Sequence, residues 1–410
     1  MANKKLVVVG GGAAGFFCAV NAAANNRDLQ VIIVEKSGKL LSKVKVSGGG
    51  RCNVTHACSS IAEMIKAYPR GATFLKKAFH HFFTSDTIKW FEHRGAKLKT
   101  EADGRMFPVT DSSETIINTL IKDANKYGVE IILSKEVKSL EAAGDKIKLV
   151  FSNETMEADY VCIASGGFAK LQQFEWLKKL GHAIEEPVPS LFTFNIPEDP
   201  IKKLMGISVE DVQVKIMGSK FSQHGPLLIT HWGMSGPAVL KLSSFAAREL
   251  EVKNYDFKIL VNWLGDENEQ ELVKKMQSLR FQLASQKIVN RNPFSLPGRL
   301  WEYLLAKCSI NEDIRWADLP AKQQNLLVKT LCAQEFHVKG KTTFKEEFVT
   351  AGGIELSEID VNTMESKITP NVYFAGEIMN VDGITGGFNF QHAWTSGWIA
   401  AQAIAKKAAS

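Results

Sequence analysis

A chain of 410 residues and 45.3 kDa is long enough to bury two or three cores. Hydrophobic residues at 45% and charged residues at 23% describe an ordinary globular protein and exclude a disordered one. The net charge of +6 arises from lysines and arginines interspersed with acids, which argues for a solvated surface and against a nucleic-acid partner.

No apolar run approaches the ~20 residues of a membrane span. The first strand begins almost at once, so no signal peptide is expected, and the cytoplasm is the expected location. The six cysteines (Cys18, Cys52, Cys58, Cys162, Cys308 and Cys332) follow neither redox-pair nor zinc-site spacing and read as reduced thiols. No metal site is expected.

Leu6-Val7-Val8-Val9 is an apolar run suited to a buried parallel strand. Gly10-Gly11-Gly12-Ala13-Ala14-Gly15 follows, then an Ala-rich helical stretch to Asn25, then Val31-Ile32-Ile33-Val34 ending at Glu35. Strand, glycine turn, helix, strand and acid form the order of a dinucleotide-binding βαβ unit. Gly10 permits the turn, Gly12 admits a diphosphate, and Gly15 lets helix and strand pack closely. The helix N-terminus attracts the phosphates, and Glu35 can accept hydrogen bonds from a ribose while repelling a 2′-phosphate.

Ser47-Gly48-Gly49-Gly50-Arg51-Cys52-Asn53 reads either as a loop converging on an anionic or carbonyl-rich ligand, or as a flexible surface turn. Cys52 is either a redox thiol or a plain buried one, with Cys58 too distant for the usual pair. Residues 61–68, 73–81 and 85–94 read as helices, 103–111 as a loop, and 112–127 as a helix capped by Asp111 or Ser112. From Val129 to Ile163 the period changes to strands, closing at Ser165-Gly166-Gly167.

Pro187 and Pro189 mark a boundary to alternating, β-rich sequence. Within it lies Thr230-His231-Trp232-Gly233-Met234-Ser235-Gly236-Pro237. His231 is either a substrate-side acid or base, since imidazole titrates near neutrality, or a histidine satisfied in a core turn. Residues 267–335 read as helices, broken at Asn292-Pro293 and Leu296-Pro297-Gly298, with strands at Phe336–Val338 and Glu347–Val349.

Thr350-Ala351-Gly352-Gly353 returns the chain to the first domain. Near the C-terminus a strand ends at Gly376-Glu377, Asp382-Gly383 follows, and Gly386-Gly387-Phe388-Asn389-Phe390-Gln391 opens a long helix. That combination suits a polyol chain and a ring system, which FAD has and NAD lacks.

Taken together these motifs resemble one bacterial FAD flavoprotein family, the aminoacetone-oxidase or 3-dehydro-bile-acid-reductase-like type. The resemblance implies an α/β fold: a Rossmann-like FAD-binding domain of the glutathione-reductase type (residues 1–188 and 350–410), an inserted β-barrel-like domain (189–265 and 336–349) and a helical subdomain (266–335). It places the FAD diphosphate at Gly10, Gly12, Ala13, Ala14 and Gly15, and the adenosine ribose at Glu35 with Lys36 beside it. Lys43, Ser47, Gly48, Arg51, Cys52 and Asn53 would run along the flavin, and Val137, Ala164, Ser165 and Gly166 near the adenosine. Gly376, Glu377 and Asp382 would meet the ribitol and diphosphate. Gly386, Gly387, Phe388, Asn389 and Gln391 would meet the isoalloxazine.

The implied activity is an FAD-dependent oxidoreductase reducing an unsaturated or quinone-like small molecule. With one complete glycine motif in the chain, NAD(P)H would be a transient electron donor. The alternatives are an amine oxidase that releases hydrogen peroxide, and a flavin-dependent tRNA-modifying or RNA-binding protein, which no basic run or RNA-binding motif supports. No catalytic acid or base comes with the resemblance.

Overall fold

The computed structural model describes residues 4–342 and 349–410, which divide into two compact units. The first comprises Met1–Ser190 and Lys345–Ser410, the second Leu191–Phe344.

The first unit is built on a five-stranded parallel sheet. Its strands are β1 (Lys5–Val9), β2 (Gln30–Val34), β3 (Glu130–Ile132), β4 (Tyr160–Ile163) and β5 (Val372–Phe374), in the spatial order β5-β4-β1-β2-β3. Leu6, Val7 and Val8 are fully buried, as a central strand covered on both faces requires. Two helices dominate the layer above the glycine turn, α1 (Ala13–Asn25) and α2 (Phe388–Ala409). They pack at backbone distance because Gly397 has no side chain: a Cβ there would lie 2.7 Å from the Ala14 carbonyl oxygen. A three-stranded meander, Ser139–Ala143, Lys146–Val150 and Thr155–Ala158, leads into β4.

Residues 103–111, expected as a loop, hold the strand Arg105–Pro108. It pairs antiparallel with Leu98–Thr100 and with Thr55–His56. Burial of Met106 and Phe107 decides the matter over the turn-rich composition of Asp103 and Gly104. The following helix starts at Glu114 rather than Ser112. Its N-cap residue, Ser113, donates its hydroxyl to the Lys45 carbonyl (2.9 Å) and makes no side-chain cap.

The second unit carries a seven-stranded antiparallel sheet whose edge strands are Gln334–Lys339 and Lys341–Thr342. Gly340 alone separates them, so the sheet must roll round until its edges meet. Gly340 makes that seam: its N–H donates to Tyr255 O (2.8 Å) and its carbonyl accepts from Asn195 N (3.2 Å). The result is barrel-like. Three helices, Glu269–Gln282, Gly298–Lys307 and Ala321–Ala333, share one core with these strands. Leu272, Met276, Trp301 and Leu327 are buried in the same cluster as Val261 and Phe336. Of the strand expected at Glu347–Val349, residues 347 and 348 lie outside the described residues, and Val349 opens the strand Val349–Ile354 of the first unit.

Candidate functional site

The glycine turn after β1 is shaped by contacts only glycine tolerates. Gly10 has φ +117°, and a Cβ on it would lie 2.4 Å from the Ala164 carbonyl oxygen at the end of β4. A Cβ on Gly15 would come within 2.0 Å of the Gly10 oxygen. Gly12 differs: a Cβ there meets nothing within 4 Å. No side chain caps α1 and no acid occupies its first turn, so Ala13 and Ala14 begin a helix whose positive end opens on free space. That is the room and the field a diphosphate needs.

Glu35, at the end of β2, is held by main chain on both oxygens. Gly11 N donates to Oε2 and Ser37 N to Oε1, each at 2.8 Å. The carboxylate is thereby aimed before any ribose arrives, and each oxygen keeps further acceptor capacity. Lys36 is exposed and lies over the Phe168 ring. The segment carrying Val137 runs beside this corner, with Lys135 N donating to Glu35 O (2.9 Å).

Ser42–Gly50 begins as a helix carrying Lys43 and unwinds at Ser47 (ψ 146°), after which Gly48, Gly49 and Gly50 all take positive φ. A Cβ on Gly48 would sit 2.8 Å from the Phe107 ring. The Arg51 guanidinium lies 4.0 Å above that same ring and pairs with Glu101 at 2.6 Å. Cys52 is fully buried, and burial pushes its thiol up to about 12. Full burial of the side chain favours the plain-thiol alternative over a redox nucleophile. The Asn53 carboxamide joins this loop to the C-terminal glycines. With the amide oriented to suit its neighbours, its nitrogen donates to Thr55 O and its oxygen accepts from Gly387 N, both at 3.0 Å.

Beyond β5, Gly376 takes φ +75° and approaches α1 closely, since a Cβ on it would lie 2.8 Å from Ala14 Cβ. Its carbonyl accepts from His392 Nε2 (3.1 Å) and its N–H donates to Ser396 Oγ (2.9 Å). Glu377 links three segments. It pairs with Lys43 (2.5 Å), accepts from Thr350 N (3.0 Å), and comes against Gly167, where a Cβ would lie 2.9 Å from Oε1. Beside it, Ser165 Oγ and Thr350 Oγ1 are buried without a hydrogen-bond partner among the described residues. Orphaned hydroxyls at that corner are what a polar ligand would satisfy.

Two residues expected at the ligand are engaged elsewhere. Asp382 is fully buried, and its carboxylate is gripped by both arms of Arg70 and by Ser190 Oγ (2.8 Å). Gln391 is also fully buried. It accepts from Thr55 Oγ1 (2.6 Å) and Thr87 Oγ1 (2.9 Å) and donates to Thr395 Oγ1 (3.1 Å), a closed interior network.

Asn389 clamps Gly383 through N–H and C=O, at 2.8 Å each, which closes the loop 383–389. Phe388 stacks on His56 at 4.7 Å between ring centroids, and Gly386 O lies 3.2 Å from His56 Nδ1. Arg70, Ser190 and His392 belong to no recognisable motif; their partners are brought in by the fold.

The first unit therefore gathers Gly10–Gly15, Glu35, Lys43, the 47–53 loop, Ala164–Gly166, Glu377 and Gly386–Asn389 into one connected set. An open helix end, an aimed acid, unpartnered hydroxyls and a glycine-opened second helix suit the diphosphate, ribose, polyol and ring of FAD. His231 lies in the second unit, exposed on a turn with its ring against Trp232 (3.7 Å between centroids). Among the described residues no cluster of three or more His, Cys, Asp or Glu could hold a metal ion, and no helix is long and apolar enough to cross a membrane.

The chain is 28% identical over 395 residues to the ribosomal RNA dihydrouridine synthase of Escherichia coli, covering 94% of each. It is 28% identical over 404 residues to the protein of that name from Haemophilus influenzae, covering 95% of this chain and 96% of that one. The 3-dehydro-bile acid Δ4,6-reductase of Clostridium scindens is 24% identical over 406 residues, covering 95% and 96%.

Among solved structures, a flavocytochrome c3 fumarate reductase in its open conformation aligns over 99% of this chain and 79% of its own. Its TM-score is 0.50 at 16% identity. The 3-ketosteroid Δ1-dehydrogenase of Sterolibacterium denitrificans, in complex with 1,4-androstadiene-3,17-dione, aligns over 99% and 100%, with TM-score 0.50 at 13% identity. At such identities the likeness shows the fold alone.

The family model described as the HI0933-like protein Rossmann domain matches residues 4–403. The chain belongs to that family and is an FAD-dependent oxidoreductase.

Proposed function

We propose that this enzyme saturates a carbon–carbon double bond conjugated to a carbonyl, using electrons from NADH or NADPH. The observation that carries this reading is the shared chemistry in the names of its full-length relatives. A Δ4,6-reductase of a 3-oxo bile acid and a dihydrouridine synthase both add hydrogen across a bond polarised by a neighbouring carbonyl.

FAD, when bound, supplies the two-electron relay between nicotinamide and alkene. The protein's own residues bind and orient it. The open end of α1 at Gly12 would hold the diphosphate, Glu35 the adenosine ribose, and the Lys43–Glu377 pair with Ser165 and Thr350 the polyol side. The N-terminus of α2, entered through Gly386 and Gly387, would stabilise negative charge on the ring. Reduction of the alkene also consumes a proton, at the carbon next to the carbonyl.

A second reading places the reduced bond in a uracil ring of ribosomal RNA. Two of the full-length relatives carry that activity in their names.

One experiment addresses both readings. The FAD-loaded protein is mixed anaerobically with NADH or NADPH while absorbance near ~450 nm is followed, and the bleached sample is then given a 4-ene-3-ketosteroid or a ribosomal RNA transcript. Bleaching followed by recolouring with the steroid supports the small-molecule substrate, and dihydrouridine in recovered RNA supports the second reading. No bleaching by either nicotinamide removes the electron source. Bleaching by an amine, with peroxide formed on adding air, would overturn the reductase in favour of an oxidase.

A further inference from the structure

We infer that the exposed face of the helix Glu269–Gln282, continued through the following loop to Arg291, is a docking surface for RNA; this inference rests on the second reading above. Acids make up 44 of the 410 residues, yet residues 272–301 contain none, while carrying six lysines and arginines. Apart from Lys274-Lys275 the bases are spaced singly, so the stretch does not look like a basic run. Its one-sidedness comes from what is missing.

Helical spacing puts Lys274, Gln277, Ser278 and Phe281 on one face, all four exposed, with Glu271 one turn before Lys274 at its N-terminal end. Phe281 is 85% exposed. A benzene ring in water on a face of amides, hydroxyls and an ammonium has nothing of its own chain to cover it. It suits the open face of an unstacked base.

Lys287 and Arg291 follow in the loop, both exposed. Lys287 pairs with Asp313 at 2.7 Å, whereas Lys274 and Arg291 have no ion pair among the described residues. Unpaired Lys274 and Arg291, hydrogen-bonding side chains and a single exposed aromatic ring together match a phosphate backbone with splayed bases, the helix's own acids, Glu269 and Glu271, being confined to its first turn. The opposite face of the same helix holds it to the core through Leu272, Met276 and Leu279, so the presented face is rigidly mounted. Every residue of the presented face is on the surface, and none belongs to the FAD cradle.

The test uses the full-length, FAD-loaded protein and labelled transcripts of large- and small-subunit ribosomal RNA, with binding read by fluorescence anisotropy over a salt series. Phe281→Ala should weaken binding about fivefold or more at all salt concentrations. Lys274→Glu with Arg291→Glu should weaken it at least tenfold at low salt and flatten the salt dependence. FAD affinity, thermal midpoint and bleaching by nicotinamide should match the wild type in both variants. Wild-type affinity in both, with the wild type itself binding RNA, overturns the surface and leaves the second reading intact. Failure of the wild-type protein to bind either transcript overturns both. Binding of the wild type to phosphatidylglycerol vesicles but to no RNA, lost in Phe281→Ala, would reassign the face to a membrane surface and overturn the proposal.

Discussion

His392 shows how one buried side chain makes stability depend on pH. It sits in α2 almost without exposure, donates through Nε2 to Gly376 O, and leaves Nδ1 without a partner among the described residues. Burial lowers its titration from the ordinary 6.5 to about 4, outweighing the Gly376 bond and the nearby Glu377 charge. Below pH 6.5 the unfolded chain binds a proton that the native state refuses until about pH 4. Stability is therefore full above that window and falls as the pH drops through it. By linkage the loss is about 2 kcal/mol between pH 7.5 and pH 5. Buried His182, lowered despite Glu358, acts in the same direction. Urea midpoints at the two pH values should show the loss in the wild type, and His392→Gln should lack its share; equal slopes in both would reject the assignment.

Neither the Arg70–Asp382 pair nor the His392 bond was legible in the sequence. Partners 312 positions apart carry no local signature, and an aspartate before a glycine looks the same whether it faces a ligand or an arginine.

At the level of elements, the strand–glycine turn–helix was legible because each part is determined by neighbours within a few residues. Its three glycines nevertheless differ in what they protect. Gly15 is pressed on backbone, and Gly15→Ala should destabilise the apoprotein by about 3 kcal/mol, since neither α1 nor β1 can yield cheaply. Gly12 touches nothing of the chain, so Gly12→Ala should melt like the wild type while losing roughly 10- to 100-fold in FAD affinity. Thermal melts of the apoprotein and titration of FAD fluorescence separate the two effects. A Gly12→Ala protein that binds FAD as tightly as the wild type would show that no ligand fills that space. The strand Arg105–Pro108 was not legible for the opposite reason. Of its hydrogen-bonding partners, Leu98–Thr100 lies just across the turn-forming Asp103-Gly104, while Thr55–His56 lies far back in the chain and leaves no local signal.

For the whole molecule, the sequence shows that two chain ends make one nucleotide-binding unit, because the glycine clusters at both ends are recognisable. It marks where the intervening chain leaves, near Pro189, and returns, near Thr350, but not that these two points are paired with each other. In the structure Ser190 is paired with Val349 across an antiparallel ladder, so the two cut ends of the first unit lie side by side. Directly opposed residues of such a ladder have Cα atoms about 5 Å apart, a gap a hairpin turn bridges. The two units also have separate hydrophobic clusters. Replacing residues 191–348 by a short Gly/Ser-rich turn should therefore leave a chain that folds, binds FAD and turns yellow, since every residue of the connected FAD set lies in the first unit. Whether the shortened protein still reduces an acceptor then shows if the second unit takes part in the reaction. Circular dichroism, the visible flavin spectrum and acceptor-dependent reoxidation test the three points in turn. An unfolded or colourless product would mean that the first unit needs its insertion to form the cradle.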